Sequence, residues 1–308
     1  MINPELKPFL ADWAAGWATL APGGGPAERR AHFEIVAAAM RQPTPEGVET
    51  GEHWVERNGR RVRLRWFRRP SASPQAALIY LHGGAWMQGS PETHWDITAG
   101  LAAATGRAVF SVDYAKSPEH PFPAAVDYVR TVVGWLFAQS EALGVDAGAI
   151  AIGGDSAGAN LAAAMTLAFR DTGCRLQRQL LIYPACDFDM DRPSYRENPD
   201  GPIVTVASMP AVNAMYCRDP ADLKNPLVAP LHADSHAGLP PAFVAVAEHD
   251  PLRDSGVAYA EALQRAGVPV TLERGPGLIH GYLRALAYCG DVRSSFDRMA
   301  DWLNAERT

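Results

Sequence analysis

The amino-acid sequence predicts an α/β fold, in which a mixed and mostly parallel sheet is covered by helices on both faces. Short apolar runs recur from about residue 77 onward, and each has the length of a strand buried on both faces. Helical stretches separate these runs, as expected of parallel strands joined by crossovers. Before them, two strand-like stretches flank Asn58-Gly59, a dipeptide typical of a tight hairpin, so the sheet is expected to begin antiparallel.

The predicted strands and helices alternate along most of the 308 residues. Residues 61–68 alternate charged and apolar side chains, which is typical of a half-exposed strand. The predicted strands are residues 53–56, 61–68, 77–81, 108–112, 149–152, 179–183, 242–247 and 268–272. The helices predicted between and after them lie near residues 92–105, 122–140, 157–170, 255–266 and 290–305.

Two segments depart from this alternation and are expected to form a helical cap over one edge of the sheet. Residues 1–45 are predicted to form two helices, the first with one apolar face, before any strand begins. Residues 187–240 contain eight prolines and no strand pattern, although residues 209–216 are predicted to be helical. The chain is therefore expected to divide into an N-terminal cap segment at 1–45 and an α/β domain at 46–308, with a second cap segment inserted at about 187–225.

Composition and charge argue against several classes of function. With 47% hydrophobic and 20% charged residues, the chain is typical of a soluble globular protein. Its net charge of −6 disfavours binding to nucleic acid or to an anionic membrane. No stretch approaches the roughly 18 apolar residues of a membrane span, and the start of the chain lacks the pattern of a signal peptide. We expect a cytoplasmic protein that acts on a small molecule.

The four cysteines indicate neither disulfides nor a zinc site. None of them forms a C-x-x-C pair, and their spacing matches no zinc-binding pattern. We expect them to be buried free thiols, and we expect no metal ion and no organic cofactor. The cysteines are Cys174, Cys186, Cys217 and Cys289.

The strongest candidate for a catalytic residue is Ser156, at the centre of Gly154-Asp155-Ser156-Ala157-Gly158. The G-x-S-x-G spacing alone is weak, because chance produces it in many chains. Here it follows a predicted strand and opens an alanine-rich predicted helix, which is the setting of a nucleophile elbow. The glycines are expected for steric reasons, since a Cβ at either position would collide in so sharp a turn. The alternative is an ordinary glycine-rich turn with a serine that caps the helix.

A second glycine-rich turn, His82-Gly83-Gly84-Ala85-Trp86, follows another predicted strand. Backbone amides of this turn, together with that of Ala157, are candidates to stabilise the oxyanion of a tetrahedral intermediate. The alternative is a tight turn that only ends a strand, and the presence of both turns at strand ends disfavours it. His82 lies beside the donors and precedes Ser156, so we expect it to hold the loop rather than to act as a base.

A serine nucleophile needs a base, and the base needs an acid that orients it. In chains with a nucleophile elbow the order is serine, acid, histidine. Of the histidines that follow Ser156, His280 is favoured because it lies in a loop between the last predicted strand and the final helix. His249 is a further histidine in this part of the chain. His232 and His236 have the spacing of a metal-binding pair, but the glutamate of that pattern is missing, so they are predicted to be loop residues.

The orienting acid is expected directly after the predicted strand at residues 242–247. Glu248, Asp250 and Asp254 are all in range there. Position favours Asp250, which lies at the turn out of the strand, whereas Asp254 would lie at the start of the next helix, a good capping position. These alternatives stay open on position alone.

With these motifs in place, the sequence resembles the hormone-sensitive-lipase-like esterases, a branch of the α/β hydrolases. Four blocks carry the resemblance, in the order of the family and over about residues 77–283. The blocks are His82-Gly83-Gly84-Ala85-Trp86, residues 113–125, Gly154-Asp155-Ser156-Ala157-Gly158, and Asp250-Pro251-Leu252-Arg253-Asp254 with His280-Gly281. The resemblance implies an α/β-hydrolase fold with a mostly parallel eight-stranded sheet, flanking helices and a helical cap.

The resemblance also implies the roles of single residues. It makes Ser156, Asp250 and His280 the catalytic triad. It implies an oxyanion hole built from four backbone amides, those of Gly83, Gly84, Ala85 and Ala157.

The sequence departs from the family pattern at three places. Ala85 stands where the family usually has a third glycine, and its amide remains a donor if the backbone there needs no positive φ. Ala115-Lys116-Ser117 replaces the usual Arg-Leu-Ala, and Ala159 stands where a glycine is common. These departures concern substrate preference rather than the reaction. Residues 118–123 are predicted to be architectural.

The substrate pocket is expected to be lined by residues beside the two turns and by bulky side chains of the cap. The candidates are Trp86, Met87, Asp155, Trp13, Tyr216 and Ile279, with Phe9, Trp17, Met209 and Met215 as further cap residues. Their size favours short acyl chains, and the alternative is that these side chains form the core of the cap.

We therefore predict a carboxylesterase that hydrolyses short-chain acyl or aryl esters through an acyl-enzyme formed by a Ser-His-Asp triad. A lactonase or an amidase that uses the same site is an alternative. A non-catalytic binding protein of the same fold is disfavoured, because all three triad residues are present. The expected partner is a small ester substrate, and a homodimer is left open.

Overall fold

One sheet of eight strands forms the centre of the computed structural model, which describes residues 1–21, 23–57 and 59–305. The strands are β1 (Glu49–Arg57), β2 (Arg60–Arg68), β3 (Gln75–Leu81), β4 (Ala108–Asp113), β5 (Val145–Asp155), β6 (Gln179–Ile182), β7 (Ala242–Ala245) and β8 (Val270–Glu273). Their order is β1-β2-β4-β3-β5-β6-β7-β8. β2 is antiparallel to β1 and β4, and the other neighbouring pairs are parallel. The predicted fold class is confirmed, although Asn58 of the predicted hairpin turn lies outside the described residues.

Helices cover both faces of this sheet. They are α1 (Leu6–Trp17), α2 (Pro26–Met40), α3 (Trp95–Thr105), α4 (Ala124–Ala138), α5 (Ala157–Phe169), α6 (Pro193–Glu197), α7 (Met209–Tyr216), α8 (Arg253–Arg265) and α9 (Gly290–Asn304). Alternate residues of β3 point to opposite faces, as strand geometry requires. Ile79 and Leu81 pack with α4, α5 and α8, whereas Leu78 and Tyr80 pack with α3 and α9. The carboxyl ends of the parallel strands meet at one edge, where ligand sites of such sheets lie.

The two N-terminal helices pack against loops that follow the strands. Leu6 and Phe9 of α1 are fully buried in the core on the α3 and α9 side of the sheet. The amide of Asn3 donates to the carbonyl of Gly277 at 2.9 Å, and the amide of Gly290 donates to Glu5 at 2.6 Å. The two helices predicted for residues 1–45 are thus present, and their role as a cap stays a prediction.

Residues 187–240 contain two α-helices, α6 and α7, joined by turns. Helix α7 has the bounds predicted for it, and it is tied to the body of the protein by a hydrogen bond of 2.8 Å from the amide of Phe122 to the carbonyl of Tyr216. The segment follows β6, so it starts from the same edge of the sheet that α1 and α2 approach.

The four cysteines are free thiols in the structure. Cys186, Cys217 and Cys289 are buried, but Cys174 is only half-buried, which corrects the expectation for that residue. Cys174 lies in the turn after α5, where its neighbours are exposed and it packs only at the margin of the core. Among the helices of the described ranges, none has both the length and the apolar character that a bilayer span requires. Within the same ranges, no group of three or more His, Cys, Asp or Glu side chains is placed to hold a metal ion.

An ion cluster fixes the loop before α3 to the antiparallel part of the sheet. Arg63 donates to both oxygens of Glu92, at 2.8 Å and 2.5 Å, and Arg65 donates a third bond at 3.0 Å. Burial favours the protonated carboxyl, but the bonds and charges of the two arginines outweigh burial and lower the pKa of Glu92 to about 2. This contribution to stability is therefore complete above the ordinary pKa of 4.5 and is lost as the pH falls toward 2.

Replacing Glu92 by glutamine is expected to lower the free energy of unfolding by about 2 kcal/mol at neutral pH, because two half-buried arginines lose their shared carboxylate. The difference from the unaltered protein should shrink between about pH 4.5 and pH 2, where the unaltered protein loses the same interaction by protonation. Urea unfolding at several pH values measures both effects. Glu56→Gln, which breaks an exposed pair with Arg61, is the control and should cost less than about 0.5 kcal/mol. A difference for Glu92→Gln that does not change with pH would contradict the assignment.

Candidate active site

Ser156 lies at the apex of a sharp turn between β5 and α5. Its backbone has φ 53° and ψ −119°, a conformation that a side-chain-bearing residue adopts only under strong restraint. A Cβ at Gly154 would lie 2.2 Å from the carbonyl oxygen of Leu81, and one at Gly158 would lie 1.9 Å from the same atom. The predicted steric reason for both glycines is therefore present, and the turn has the geometry of a nucleophile elbow.

His280 and Asp250 lie beside Ser156. The Nε2 atom of His280 is 2.9 Å from the Oγ atom of Ser156, and its Nδ1 atom is 2.7 Å from the Oδ2 atom of Asp250. The second oxygen of Asp250 accepts a hydrogen bond of 2.8 Å from the amide of Leu252. Asp250 is fully buried and His280 nearly so. Because a buried carboxylate accepts from Nδ1–H, the Nε2 atom is left as the acceptor that faces the serine hydroxyl.

The two loops that hold these residues follow neighbouring strands. Asp250 follows β7 and His280 follows β8, and the amide of His249 donates to the carbonyl of Leu278 at 2.9 Å. This bond joins the two loops directly beside the candidate acid and base. The chain order and the strand order together bring three distant residues to one place.

The other acids and histidines considered from the sequence lie elsewhere. Glu248 is about half-exposed and accepts from the amide of Gly277 at 2.6 Å. Asp254 lies in the first turn of α8, where it accepts from the amide of Ser194 at the start of α6, rather than capping its own helix. His232 is exposed, and His236 is bound to the carbonyl of Pro230.

Three residues that border the cavity beside Ser156 have backbone amides without a protein acceptor. Within the described ranges, the amides of Gly84, Ala85 and Ala157 have no hydrogen-bond partner. The amide of Gly83 does have one, since it donates to the Oδ1 atom of Asp155 at 2.9 Å. The sequence-based assignment of Gly83 to the oxyanion hole is therefore corrected: its amide holds the loop, and the free donors begin at Gly84.

Asp155 borders the cavity, but it is buried and serves as an anchor between two segments of the chain. It is 3% exposed, and it also accepts from the hydroxyl of Tyr80 at 2.9 Å. Burial alone would raise the pKa of Asp155, but the neighbouring His94 and Arg284 and the bond from Tyr80 outweigh burial and hold the pKa well below its usual range. The ionised carboxylate thus ties the loop after β3 to the residue before Ser156 across the neutral pH range.

Ala85 and Trp86 both have a left-handed backbone, with φ of 56° and 54°. Ala85 therefore does need a positive φ, so its backbone is strained at the position where the family usually has glycine. Each such residue costs about 1–2 kcal/mol relative to an ordinary conformation, so the loop depends on outside contacts to keep its shape. One contact is the stack of the Trp86 ring on that of Tyr216, with centroids 4.3 Å apart and planes 5° from parallel.

A cavity of about 520 Å³ opens beside Ser156 and is mainly apolar. Of the sequence-predicted pocket residues, Trp13, Trp86, Met87 and Asp155 border it, as do Met209 and Met215. Tyr216 and Ile279 do not, which corrects both assignments. Tyr216 is fully buried behind Trp86, and Ile279 is fully buried in the core beside β8. Phe9 and Trp17 also pack among other aromatic rings instead of bordering the cavity.

Sequence reasoning missed Arg284, which borders the cavity. It donates to the carbonyl of Thr93 at 2.9 Å and to the Nε2 atom of His94 at 2.7 Å, and its guanidinium lies 4.7 Å from the ring centre of Phe33. A single arginine within an apolar stretch four residues after His280 was the available signal.

Comparison with known proteins finds relatives that are named as esterases. A family model described as alpha/beta hydrolase fold matches residues 78–284. The chain is similar to esterase LipI of Mycobacterium tuberculosis, with 39% identity over 226 residues, which cover 72% of this chain and 69% of that protein. It is also similar to ethyl acetate hydrolase of Pseudomonas putida, with 36% identity over 92% of each chain. Among solved structures, a hyperthermophilic esterase from the archaeon Pyrobaculum calidifontis matches with a TM-score of 0.90 and 34% identity over 98% of each chain.

Replacing Ala85 by glycine is expected to raise the free energy of unfolding by about 0.5–1 kcal/mol. Relief of the left-handed backbone, worth about 1–2 kcal/mol, exceeds the extra chain entropy that glycine loses on folding, about 0.5–1 kcal/mol. Urea unfolding measures the change. The matched control is Ala31→Gly, an exposed helical site in α2, which should cost about 1 kcal/mol. The strain is disproved if both variants are destabilised alike.

Proposed function

Because this chain belongs to the hormone-sensitive-lipase-like branch of the α/β-hydrolase family and is a carboxylic ester hydrolase, we propose that Ser156, His280 and Asp250 form its catalytic triad. The observation that carries the proposal is the unbroken line of hydrogen bonds from the Oγ atom of Ser156 through both ring nitrogens of His280 to Asp250. The relatives, which are named as esterases or as an ester hydrolase, support ester hydrolysis as the reaction.

The reaction proceeds through an acyl-enzyme. The Nε2 atom of His280 takes the hydroxyl proton of Ser156 as Oγ attacks the ester carbonyl, and Asp250 stabilises the imidazolium that forms. His280 then gives this proton to the leaving alkoxide. A water molecule attacks the acyl-serine in the second half, with His280 again as base, and the acid product and free Ser156 result.

The oxyanion of each tetrahedral intermediate is stabilised by the amides of Gly84, Ala85 and Ala157. Their support is that they have no protein acceptor within the described ranges and lie on the two turns that flank Ser156. Ala157 is also the first residue of α5, so the positive end of the helix dipole favours the developing charge.

The N-terminal helices and the segment at about 187–225 are proposed to cap the site. Trp13 and Phe33 of the first two helices border the cavity, and so do Met209 and Met215 of α7. These bulky side chains support a preference for short acyl groups or aryl esters. Lactone and amide substrates use the same catalytic groups and are distinguished only by assay.

Ser156→Ala is expected to abolish the hydrolysis of p-nitrophenyl acetate and butyrate while folding is retained, because no nucleophile replaces the hydroxyl. The loss should be at least about 10³-fold in kcat. Ser73→Ala, in an exposed loop, is the matched control and should keep full activity. His280→Ala and the exposed His232→Ala form a second pair with the same contrast. Turnover by Ser156→Ala at the unaltered rate would refute the triad.

In a series of p-nitrophenyl esters of rising acyl length, we expect the highest kcat/KM for acyl groups of about two to four carbons. The bulky side chains of the cavity wall are expected to exclude longer acyl chains. Octanoate should be poorer by about tenfold or more. Met209→Ala, which enlarges the cavity, should reduce that penalty, whereas Met299→Ala, on the buried face of α9 and outside the cavity, should not. An optimum at eight or more carbons in the unaltered enzyme would contradict the short-chain assignment.

A further inference from the structure

We propose that Arg30, on α2, is a positioning residue that holds the oxyanion loop, residues 83–88, in its reactive shape. The inference rests on the proposed function, because it assigns to the N-terminal helix a part in the stabilisation of the same oxyanion. Arg30 does not border the cavity, so it acts through the backbone of the loop.

The guanidinium of Arg30 binds two loop carbonyls at once. Its Nε atom donates to the carbonyl of Met87 at 2.6 Å, and Nη2 donates to the carbonyl of Ser117 at 2.9 Å. Its outer edge pairs with the carboxylate of Glu119, with Nη1 3.1 Å from Oε1. The Arg30 side chain is 25% exposed, and its two bonds to the loop carbonyls are partly buried, whereas the pair with Glu119 is exposed. Only an arginine has donors in the fork that this arrangement requires.

The carbonyl of Met87 belongs to the turn that presents the oxyanion donors. The amides of Met87 and Gln88 both donate to the carbonyl of Gly84, at 3.0 Å and 2.9 Å, which closes the turn around Ala85. The amide of Ser117 donates to the carbonyl of Trp86 at 2.9 Å, so the second loop that Arg30 binds is itself joined to this turn. Arg30 therefore fixes the oxyanion loop from outside at two adjoining points.

The loop needs such a restraint because it contains two consecutive left-handed residues. Ala85 and Trp86 would relax toward ordinary backbone angles if the turn were free, and this relaxation would rotate the amide of Ala85. The Trp86–Tyr216 stack holds the side-chain end of the loop, but it makes no bond to the backbone of Met87. Displacement of a catalytic group by about 1 Å costs up to about 10²-fold in rate.

Glu119 orients the arginine from the opposite side. The bond from Arg30 lowers the pKa of Glu119, so the carboxylate stays ionised at neutral pH. Glu119 is 46% exposed and does not touch the oxyanion loop, so its loss is expected to matter less than the loss of Arg30.

Arg41, a second arginine that attaches α2 to the body of the protein, offers a matched control. At the other end of α2, Arg41 donates from Nη2 to the carbonyl of Glu92 at 2.8 Å and lies over the ring of Trp95. Arg41 thus docks α2 on the body of the protein without contact to the oxyanion loop. A purely structural role for Arg30 predicts that the two arginines are equivalent, whereas a positioning role predicts that only Arg30 affects the chemical step.

The experiment compares Arg30→Met, Arg30→Lys and Arg41→Met in the full chain, with p-nitrophenyl butyrate as substrate. Arg30→Met is expected to lower kcat by about 10- to 100-fold with KM changed by less than about threefold, because a transition-state interaction is weakened. Arg41→Met should have a kcat within about threefold of that of the unaltered enzyme. This should hold even if Arg41→Met and Arg30→Met lower the urea midpoint of unfolding equally. Arg30→Lys, which keeps the charge and one donor, should lie between Arg30→Met and the unaltered enzyme.

A trifluoromethyl ketone that forms a reversible tetrahedral adduct gives the second measurement. Its inhibition constant should rise in Arg30→Met by the same factor as kcat falls, and it should stay constant in Arg41→Met. Two results together would overturn the inference. In the first, Arg30→Lys has the same kcat and the same inhibition constant as the unaltered enzyme. In the second, Arg30→Met has the same kcat and inhibition constant as Arg41→Met. If Ser156→Ala is inactive in that case, the proposed function is retained and only the role of Arg30 is refuted. If Ser156→Ala is active, both the proposed function and the role of Arg30 are refuted.

Discussion

The turn that carries Ser156 packs backbone to backbone on the carboxyl end of β3, and the remaining parts of the site are arranged around this contact. A methyl group at Gly154 or Gly158 would overlap the carbonyl of Leu81, so no side chain can separate the two segments. Their closeness puts the loop after β3 directly beside the start of α5. Asp155 then joins the same two segments with a buried hydrogen bond to the amide of Gly83. The amides proposed as oxyanion donors and the proposed nucleophile are therefore neighbours, because two backbones touch.

Backbone strain at Ser156 and in the neighbouring loop is balanced by the scaffold. Ser156, Ala85 and Trp86 all have a positive φ, which costs free energy in each case. The strand and helix on either side hold Ser156, whereas the loop of Ala85 and Trp86 lies outside any strand or long helix and is held by the packing of Trp86 and by hydrogen bonds. This difference explains why contacts from α2 and α7, which lie outside the sheet, are needed to hold the loop of Ala85 and Trp86 at the edge of the sheet.

The sheet, its helices and the closeness of Ser156, Asp250 and His280 could be predicted from sequence, because each depends on a local pattern or on a fixed chain order. The strand runs and the glycine spacing around Ser156 are of this kind. Gly83, Tyr216 and Ile279 were assigned wrongly because their roles depend on which atoms face which neighbour after folding. The amide of Gly83 is taken by a carboxylate 72 residues away, and no local pattern reports such a bond. Cys174 shows the same limit, since its burial depends on what packs over the end of α5.

The docking of α1 has a consequence for the order in which the molecule is built. Asn3 and Glu5 bind Asp291 and Gly290, and Asn3 lies 288 residues from its partner. During synthesis the helix leaves the ribosome long before those partners exist, and closing so long a loop comes late in folding. Trp13, on the same helix, borders the cavity, so this part of its wall depends on contacts between the two ends of the chain. A chain that still lacks residues 290 and 291 has no partners for Asn3 and Glu5.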